Sequence, residues 1–261
     1  MSERSFSQGA AALVVAHRGA SATEAENTLE AFEAAVAAGA DVVEFDVRIT
    51  ADGEPVVMHD PDVSRTTDGH GLVRDRTLAQ LKRLRIRTRD GGAAEVPTLA
   101  ETLRCCSGRI AVDVEIKNIP GEPDFDAQDE RAVEATLRAL EDTAFSGKVL
   151  ISSFNPFSIG RAHAMAPDVP TGLLTDRDVE APAAAAYAHG EGHPWVLPYF
   201  QQVQEAGPSL AEQVHAFGML LGTWITDDPA VAVGLMRVGV DAVATNDPAA
   251  VVAARAEAGL A

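Results

Sequence analysis

Short apolar runs alternate along the chain with Ala-rich segments whose apolar residues recur at helical spacing. The short runs are rich in Val, Ile and Leu and predict eight β-strands, at residues 13–16, 42–48, 110–116, 148–152, 171–175, 195–198, 219–225 and 242–245. Helices are predicted at residues 28–38, 99–106, 130–142, 156–166, 209–217, 229–238 and 248–258. Alternating strands and helices are typical of βα units around a parallel sheet. Eight strands favour a closed (β/α)8 TIM barrel over an open sheet.

Three predicted strands are followed by similar turns, with the sequences FNP, TDDP and TNDP. Each turn has a side chain that can cap a helix, followed by a Pro that suits the first helical position. The predicted caps are Asn155, Asp228 and Asp247. We expect the first unit to use Asn27 and Glu30 in a variant of the capping box.

One polar stretch, at approximately residues 50–97, interrupts the alternation. It opens with ADGEPVVMHD, which predicts a turn at Asp52 and Gly53 followed by a short returning strand. We interpret the stretch as a small insertion after the second strand, on the barrel face where active sites are built. Because no low-complexity linker is present, we expect residues 1–261 to form a single domain.

Composition narrows the classes of function. The chain has 21 Lys and Arg against 39 Asp and Glu, for a net charge of −18. Such a chain repels phosphate polymers and anionic lipid surfaces, so we expect no nucleic-acid binding and no stable membrane association. An anionic substrate would need a local cation, such as a metal ion. The two cysteines are adjacent, and neither a secretory signal nor a membrane-spanning run is visible, so we expect a cytoplasmic protein.

Two predicted strands carry carboxylates where apolar residues are expected. VVEFDVRI places Glu44 and Asp46 on one face of its strand, and IAVDVEIKN does the same for Asp113, Glu115 and Lys117. The alternatives are an exposed edge strand for the first pair and a simple Glu–Lys ion pair for the second. A shared divalent cation explains the carboxylates better, and hard oxygen ligands suit Mg²⁺ or Ca²⁺. Lys117 supplies positive charge for an anion.

Two histidines stand at predicted strand ends. His17 ends the first strand, and His59 ends the returning strand of the hairpin. At such positions they suit a general acid and a general base at neutral pH. Arg18 can bind phosphate oxygens with two donors, and Gly19 would let the backbone approach a ligand. We interpret the acidic segment GEPDFDAQDE as solvated and as capping the helix that follows.

These segments, in this order, resemble the glycerophosphodiester phosphodiesterase family: HRGA, ENTLEAF, GADVVEFDVRITADGEPVVMHD, VDVEIK, SSF, LLGTWITDD and GVDAVATNDP. The similarity runs over residues 16–250. It implies a TIM barrel with a small insertion after the second strand, and hydrolysis of small glycerophosphodiesters to glycerol phosphate and an alcohol, in lipid and glycerol metabolism. It also implies the site residues: metal ligands Glu44, Asp46 and Glu115; acid–base pair His17 and His59; phosphate contacts Arg18 and Lys117; Trp224 against the glycerol end; and Glu26 and Asn27 near the metal.

Several alternatives stay open at this point. The sequence does not distinguish Mg²⁺ from Ca²⁺, the acid from the base, or water from the glycerol 2-hydroxyl as the nucleophile. The preferred head group and the oligomeric state are also open. A sphingomyelinase D-like enzyme, a lyase that releases a cyclic phosphate and a non-catalytic phosphate-binding barrel are the alternative functions.

Overall fold

Eleven β-strands are present in the computed structural model, which describes residue 6 and residues 11–127 and 130–260. They are β1 (Leu13–His17), β2 (Val42–Ile49), β3 (Pro55–Val57), β4 (Ile86–Arg87), β5 (Ala93–Ala94), β6 (Ala111–Ile116), β7 (Val149–Ser153), β8 (Thr171–Leu174), β9 (Trp195–Leu197), β10 (Leu220–Thr223) and β11 (Ala242–Thr245). Strands β1, β2 and β6 to β11 pair in parallel, and β1 contacts both β2 and β11. This pairing closes the predicted eight-stranded TIM barrel.

Helices cover the outside of the barrel, and one short helix lies in the insertion after β2. They are α1 (Leu29–Ala37), α2 (Leu78–Leu81), α3 (Leu99–Cys106), α4 (Arg131–Asp142), α5 (Pro156–Met165), α6 (Ala181–Gly190), α7 (Phe200–Ala206), α8 (Pro208–Ala216), α9 (Pro229–Arg237) and α10 (Pro248–Glu257). All seven predicted helices are present, whereas α2, α6 and α7 were not predicted. Among the described residues, no helix has the length and apolar character needed to cross a bilayer.

Strand β2 shows how the barrel turns polar groups inward. Val43, Phe45 and Val47 pack outward against the helices, and the Phe45 ring lies 5.6 Å from that of Phe32 on α1. The alternate positions of the strand therefore face the barrel interior. Since β2 is buried and paired with β1 and β6, the edge-strand alternative is wrong.

The hairpin after β2 is confirmed. Strand β3 pairs antiparallel with β2, with Val57 opposite Val47, and Gly53 has a positive φ of 84° in the turn between them. The rest of the insertion contains a short 3₁₀ helix at Val73–Asp75, α2 and the β4–β5 hairpin. It buries a small apolar cluster of its own around Val73 and Leu81.

The three predicted turns cap their helices as expected. The side chains of Asn155, Asp228 and Asp247 accept hydrogen bonds from backbone N–H groups in the first turns of α5, α9 and α10. The prediction for α1 is wrong, because Thr28 is the N-cap and accepts from the N–H of Ala31. Asn27 instead has a φ of 58°, and its side chain is directed at the barrel carboxylates.

Candidate active site

Three carboxylates meet at the carboxyl end of the barrel. Glu44 and Asp46 lie on β2, and Glu115 lies on β6 directly beside Asp46 in the strand register. One oxygen of each lies within 4.8 Å of the others, and all three side chains are buried. Asp113, which also faces inward, accepts a hydrogen bond from Ser152 at 2.7 Å, and burial raises its pKa to about 7.

The electrostatics of this trio fit a cation. Burial, together with Asp46 and Glu115, raises the pKa of Glu44 well above its usual range. Oε1 of Glu44 is buried and accepts no hydrogen bond from the residues that the structure describes. Lys117 offsets part of the charge, since its Nζ lies 2.6 Å from Glu115 and 3.1 Å from Asp46. Hard oxygen donors with an unused oxygen suit a divalent cation such as Mg²⁺ or Ca²⁺.

His17 is oriented by an amide. Its Nδ1 lies 2.8 Å from Oδ1 of Asn246, whose Nδ2 donates to Asp227 at 2.9 Å. A carboxylate only accepts, so Asp227 fixes the Asn246 amide with its oxygen towards His17. Nδ1 of His17 therefore donates, and in the neutral ring Nε2 keeps its lone pair. Burial and the neighbouring Arg18 lower the pKa of His17 to about 4.

His59 is oriented by a carboxylate. It follows β3, and its Nδ1 lies 2.6 Å from Oδ1 of Asp60. Arg65 binds Asp60 and also donates two hydrogen bonds to Glu26, which accepts from Arg18 at 3.0 Å. Burial lowers the pKa of His59, whereas the Asp60 hydrogen bond acts to raise it. Glu26 is thus one link between Arg18 and the second histidine.

Arg18 and Asn27 contact the carboxylates directly. The backbone N–H of Arg18 donates to Glu44 at 2.8 Å, and its guanidinium lies 3.3 Å from Asp46. Asn27 donates to Asp46 at 2.7 Å. Gly19 lies against α1, where a Cβ would come within 2.6 Å of the Ala31 carbonyl carbon. Its missing side chain makes room for helix α1.

A cavity of about 920 Å³ opens at this end of the barrel. Its lining includes both histidines, Arg18, Lys117 and Trp224. Trp224 donates through Nε1 to the carbonyl of Thr175 at 3.2 Å, and its ring centroid lies 5.3 Å from that of Phe154. The predicted site residues thus converge on one cavity or its supporting network.

A sequence model of the glycerophosphoryl diester phosphodiesterase family matches residues 17–250. The chain belongs to this family. A glycerophosphodiester phosphodiesterase of Caldanaerobacter subterraneus subsp. tengcongensis is 35% identical over 243 residues, which cover 90% of this chain and 94% of that protein.

Solved structures of similar sequence superpose on this fold. A phosphodiesterase of Oleispira antarctica in complex with the product sn-glycerol-3-phosphate is 28% identical, with a TM-score of 0.82 and coverage of 94% and 96% of the two chains. The glycerophosphodiester phosphodiesterase of Thermotoga maritima is 27% identical, with a TM-score of 0.75 and coverage of 93% and 97%.

One buried residue of this family member, Arg48, was not predicted from the sequence as part of the site. Arg48, 1% exposed, donates to the His59 carbonyl, to Asp124 and to Glu122, each at 2.7 Å. The interpretation of the acidic segment as solvated is therefore wrong for Glu122 and Asp124, which pair with Arg48, whereas Asp126 is exposed. Glu130 accepts from a serine on α5, and its side chain does not cap α4. The signal for Arg48 was its place two residues beyond Asp46, on the same inward face of β2.

Asn246 and Asp227 were also missed as site residues. They belong to the TNDP and TDDP turns, in which only the helix-capping residues were predicted. In such turns an acidic or amide side chain can cap the helix or form a hydrogen bond with a neighbouring side chain. Here different residues have these two roles. Asp228 and Asp247 cap the helices, and the residue before each of them orients His17.

Proposed function

We propose that this protein hydrolyses glycerophosphodiesters to glycerol phosphate and an alcohol, with a divalent cation held by Glu44, Asp46 and Glu115. The observation that carries the proposal is the convergence of two separately oriented histidines on one cavity with Glu44 and Glu115, which share the buried cluster with Asp46. A binding protein needs no such acid–base pair. The activities named for the relatives, and the product found in the Oleispira enzyme, support the same substrate class.

The bound cation would polarise a phosphoryl oxygen and lower the pKa of an attacking oxygen. Mg²⁺ and Ca²⁺ both suit three carboxylates. Arg18 and Lys117 place positive charge at the same end of the cavity, where it stabilises negative charge on the phosphoryl group. Asn27 orients the Asp46 carboxylate by its hydrogen bond.

We assign the base to His17 and the acid to His59. The neutral amide of Asn246 does little to stabilise an imidazolium, and the Nε2 lone pair of His17 is free to accept a proton. The Asp60 carboxylate does stabilise an imidazolium, so His59 is suited to carry the proton that the leaving alkoxide needs. The oxygen that attacks phosphorus loses its proton to His17, and the alcohol departs with a proton from His59.

Glycerophosphocholine hydrolysis tests this function. Choline release should stop in EDTA and return with added Mg²⁺ or Ca²⁺. His17→Ala and His59→Ala should each lower kcat by about 10²- to 10⁴-fold. His70→Ala, at an exposed position of the insertion, is the matched control. Folded variants of His17 and His59 with wild-type rates would contradict the assignment, and ³¹P NMR separates glycerol phosphate from a cyclic phosphate.

A further inference from the structure

A single buried guanidinium lies behind the wall of the cavity. Arg48 is 1% exposed and lies outside the cavity lining that the described residues form, so it does not reach a substrate. Three of its partners do belong to residues of that lining: the backbone carbonyls of His59 and Lys117 and the carboxylate of Glu122. Any contribution of Arg48 to the reaction therefore passes through these neighbours.

His59 lies just beyond the ladder between β2 and β3. The N–H of Met58 donates to the Asp46 carbonyl at 3.0 Å, and His59 follows in a bend. The His59 carbonyl accepts from Nε of Arg48 at 2.7 Å, and its ring is bound by Asp60. Asp60 therefore restrains the rotation of the ring, whereas Arg48 restrains the backbone that carries it.

Two carboxylates hold Arg48 itself in place. Its Nη1 lies 2.7 Å from Asp124 and its Nη2 lies 2.7 Å from Glu122, both in the loop after β6. The backbone of Arg48 is fixed as well, because it pairs with Val56 of β3. A guanidinium is planar and carries its donors in fixed directions, so it can bind both acids and the His59 carbonyl together. A lysine ammonium on a flexible stem does not reproduce this geometry.

Lys117 depends on Arg48 much less than His59 does. The Lys117 carbonyl accepts from Nη1 of Arg48 at 3.4 Å, which is long for a hydrogen bond. Its ammonium is held separately, with Nζ 2.6 Å from Glu115 and 3.1 Å from Asp46. Loosening Arg48 should therefore displace His59 and leave the phosphate-contacting cation in place.

We propose that Arg48 is a positioning residue for the general acid, setting the distance from His59 to the leaving oxygen. The inference rests on the proposed function, because it takes His59 as the group that protonates the departing alkoxide. A misplacement of about 1 Å can lower a rate about 100-fold when two groups must meet in one geometry. Arg48 thus acts on bond breaking and has little effect on substrate binding.

A pair of leaving groups separates this role from a general loss of structure. Choline leaves as an alkoxide that needs a proton, whereas para-nitrophenolate leaves without one. We would measure kcat and KM of wild type and Arg48→Lys for glycerophosphocholine and for the para-nitrophenyl ester of glycerol phosphate. We expect kcat for glycerophosphocholine to fall by about 10- to 100-fold, with KM and the nitrophenyl rate within about threefold of wild type. Partial unfolding would lower both rates by one common factor.

A double variant tests the route through His59. In the His59→Ala background the acid is already missing, so Arg48→Lys should lower kcat for glycerophosphocholine by no more than about twofold further. Arg83→Lys, at an exposed position of the insertion, is the matched control and should keep wild-type rates with both substrates.

Asp124→Asn provides the same comparison if Arg48→Lys does not fold. It keeps Arg48 and weakens its ion pair, so we expect a loss of about threefold or more that is confined to glycerophosphocholine. Equal losses with both substrates, no loss with either, or additive losses in the double variant would overturn the positioning role alone. A wild type that releases neither choline nor nitrophenol would overturn the proposed function.

Discussion

Replacing Glu44 by Gln should stabilise the metal-free protein and remove its response to divalent cations. Glu44 is 5% exposed, and one of its oxygens lies within 4.8 Å of oxygens of Asp46 and Glu115. Gln keeps the shape of the side chain, and its oxygen can still accept from the backbone N–H of Arg18. Its amide would place a donor among carboxylate oxygens.

The magnitude follows from the spacing. The oxygens lie within 4.8 Å of one another, and at that separation two negative charges repel by about 3.5 kcal/mol at an effective dielectric constant of about 20. Arg18 and Lys117 offset part of this repulsion. Replacing a buried set of charged groups by neutral ones is often neutral or stabilising, by up to about 4 kcal/mol. We therefore expect the free energy of unfolding to rise by about 1–3 kcal/mol in EDTA.

The pH dependence has a definite sign. Burial, Asp46 and Glu115 raise the pKa of Glu44 above the value of about 4.3 that an unfolded chain shows. Above that pH the folded state holds more protons than the unfolded state, so this group makes stability fall as pH rises through its folded pKa. Gln removes this contribution, and the advantage of the variant should grow from about pH 4.3 upwards.

Urea denaturation followed by circular dichroism measures the effect, in EDTA and with Mg²⁺ or Ca²⁺. A cation at one hundred times its Kd should stabilise the wild type by about 2.7 kcal/mol and the variant far less. Glu54→Gln, at an exposed position of the hairpin turn, serves as the control. A variant less stable than the wild type in EDTA, or one that the cation stabilises equally, would refute the reasoning.

Two further substitutions probe residues that orient the histidines. Arg48→Met leaves the Asp124 and Glu122 carboxylates without their buried partner, so we expect the free energy of unfolding in urea to fall by about 3–5 kcal/mol. The stability of Arg48→Lys should lie between those of the wild type and Arg48→Met. An unchanged midpoint would show that the pair is dispensable. Asn246→Leu removes the acceptor that selects the His17 tautomer, and kcat for glycerophosphocholine should fall by about 10²- to 10⁴-fold with KM within a few-fold. A change in KM alone would mean that Asn246 acts on substrate binding instead.

The barrel and the carboxylate trio could be predicted from the sequence because both depend on the alternation of side chains along individual strands. On a strand the period of two decides which side chains share a face, so Glu44 and Asp46 could be grouped without knowing their neighbours. The position of Glu115 beside them followed once two strands with the same pattern were assigned to one barrel. The three Asn/Asp–Pro caps are also local, and all three were predicted.

The residues that bind the histidines come together only when the barrel closes, so local sequence patterns could not predict them. His17 and Asn246 are 229 positions apart and meet because β1 pairs with β11. Asn27 illustrates a conflict between levels: local rules favoured a helix cap, but its hydrogen bond to Asp46 is a long-range contact. Arg48 likewise finds its acids 74 and 76 positions away.

The two histidines are held by different elements, and this difference determines where the chain can tolerate insertions or deletions. His17 ends a barrel strand, whereas His59 follows a hairpin in which Ile49 pairs with Pro55. A one-residue change in the turn at residues 50–54 would shift that register and reverse the face of each following side chain. Thr98 also pairs with Val56 of β3, whereas the exposed turn at residues 90–92, between β4 and β5, lies outside this ladder. Natural or engineered insertions should therefore be tolerated in the outer part of the loop and not in its first turn.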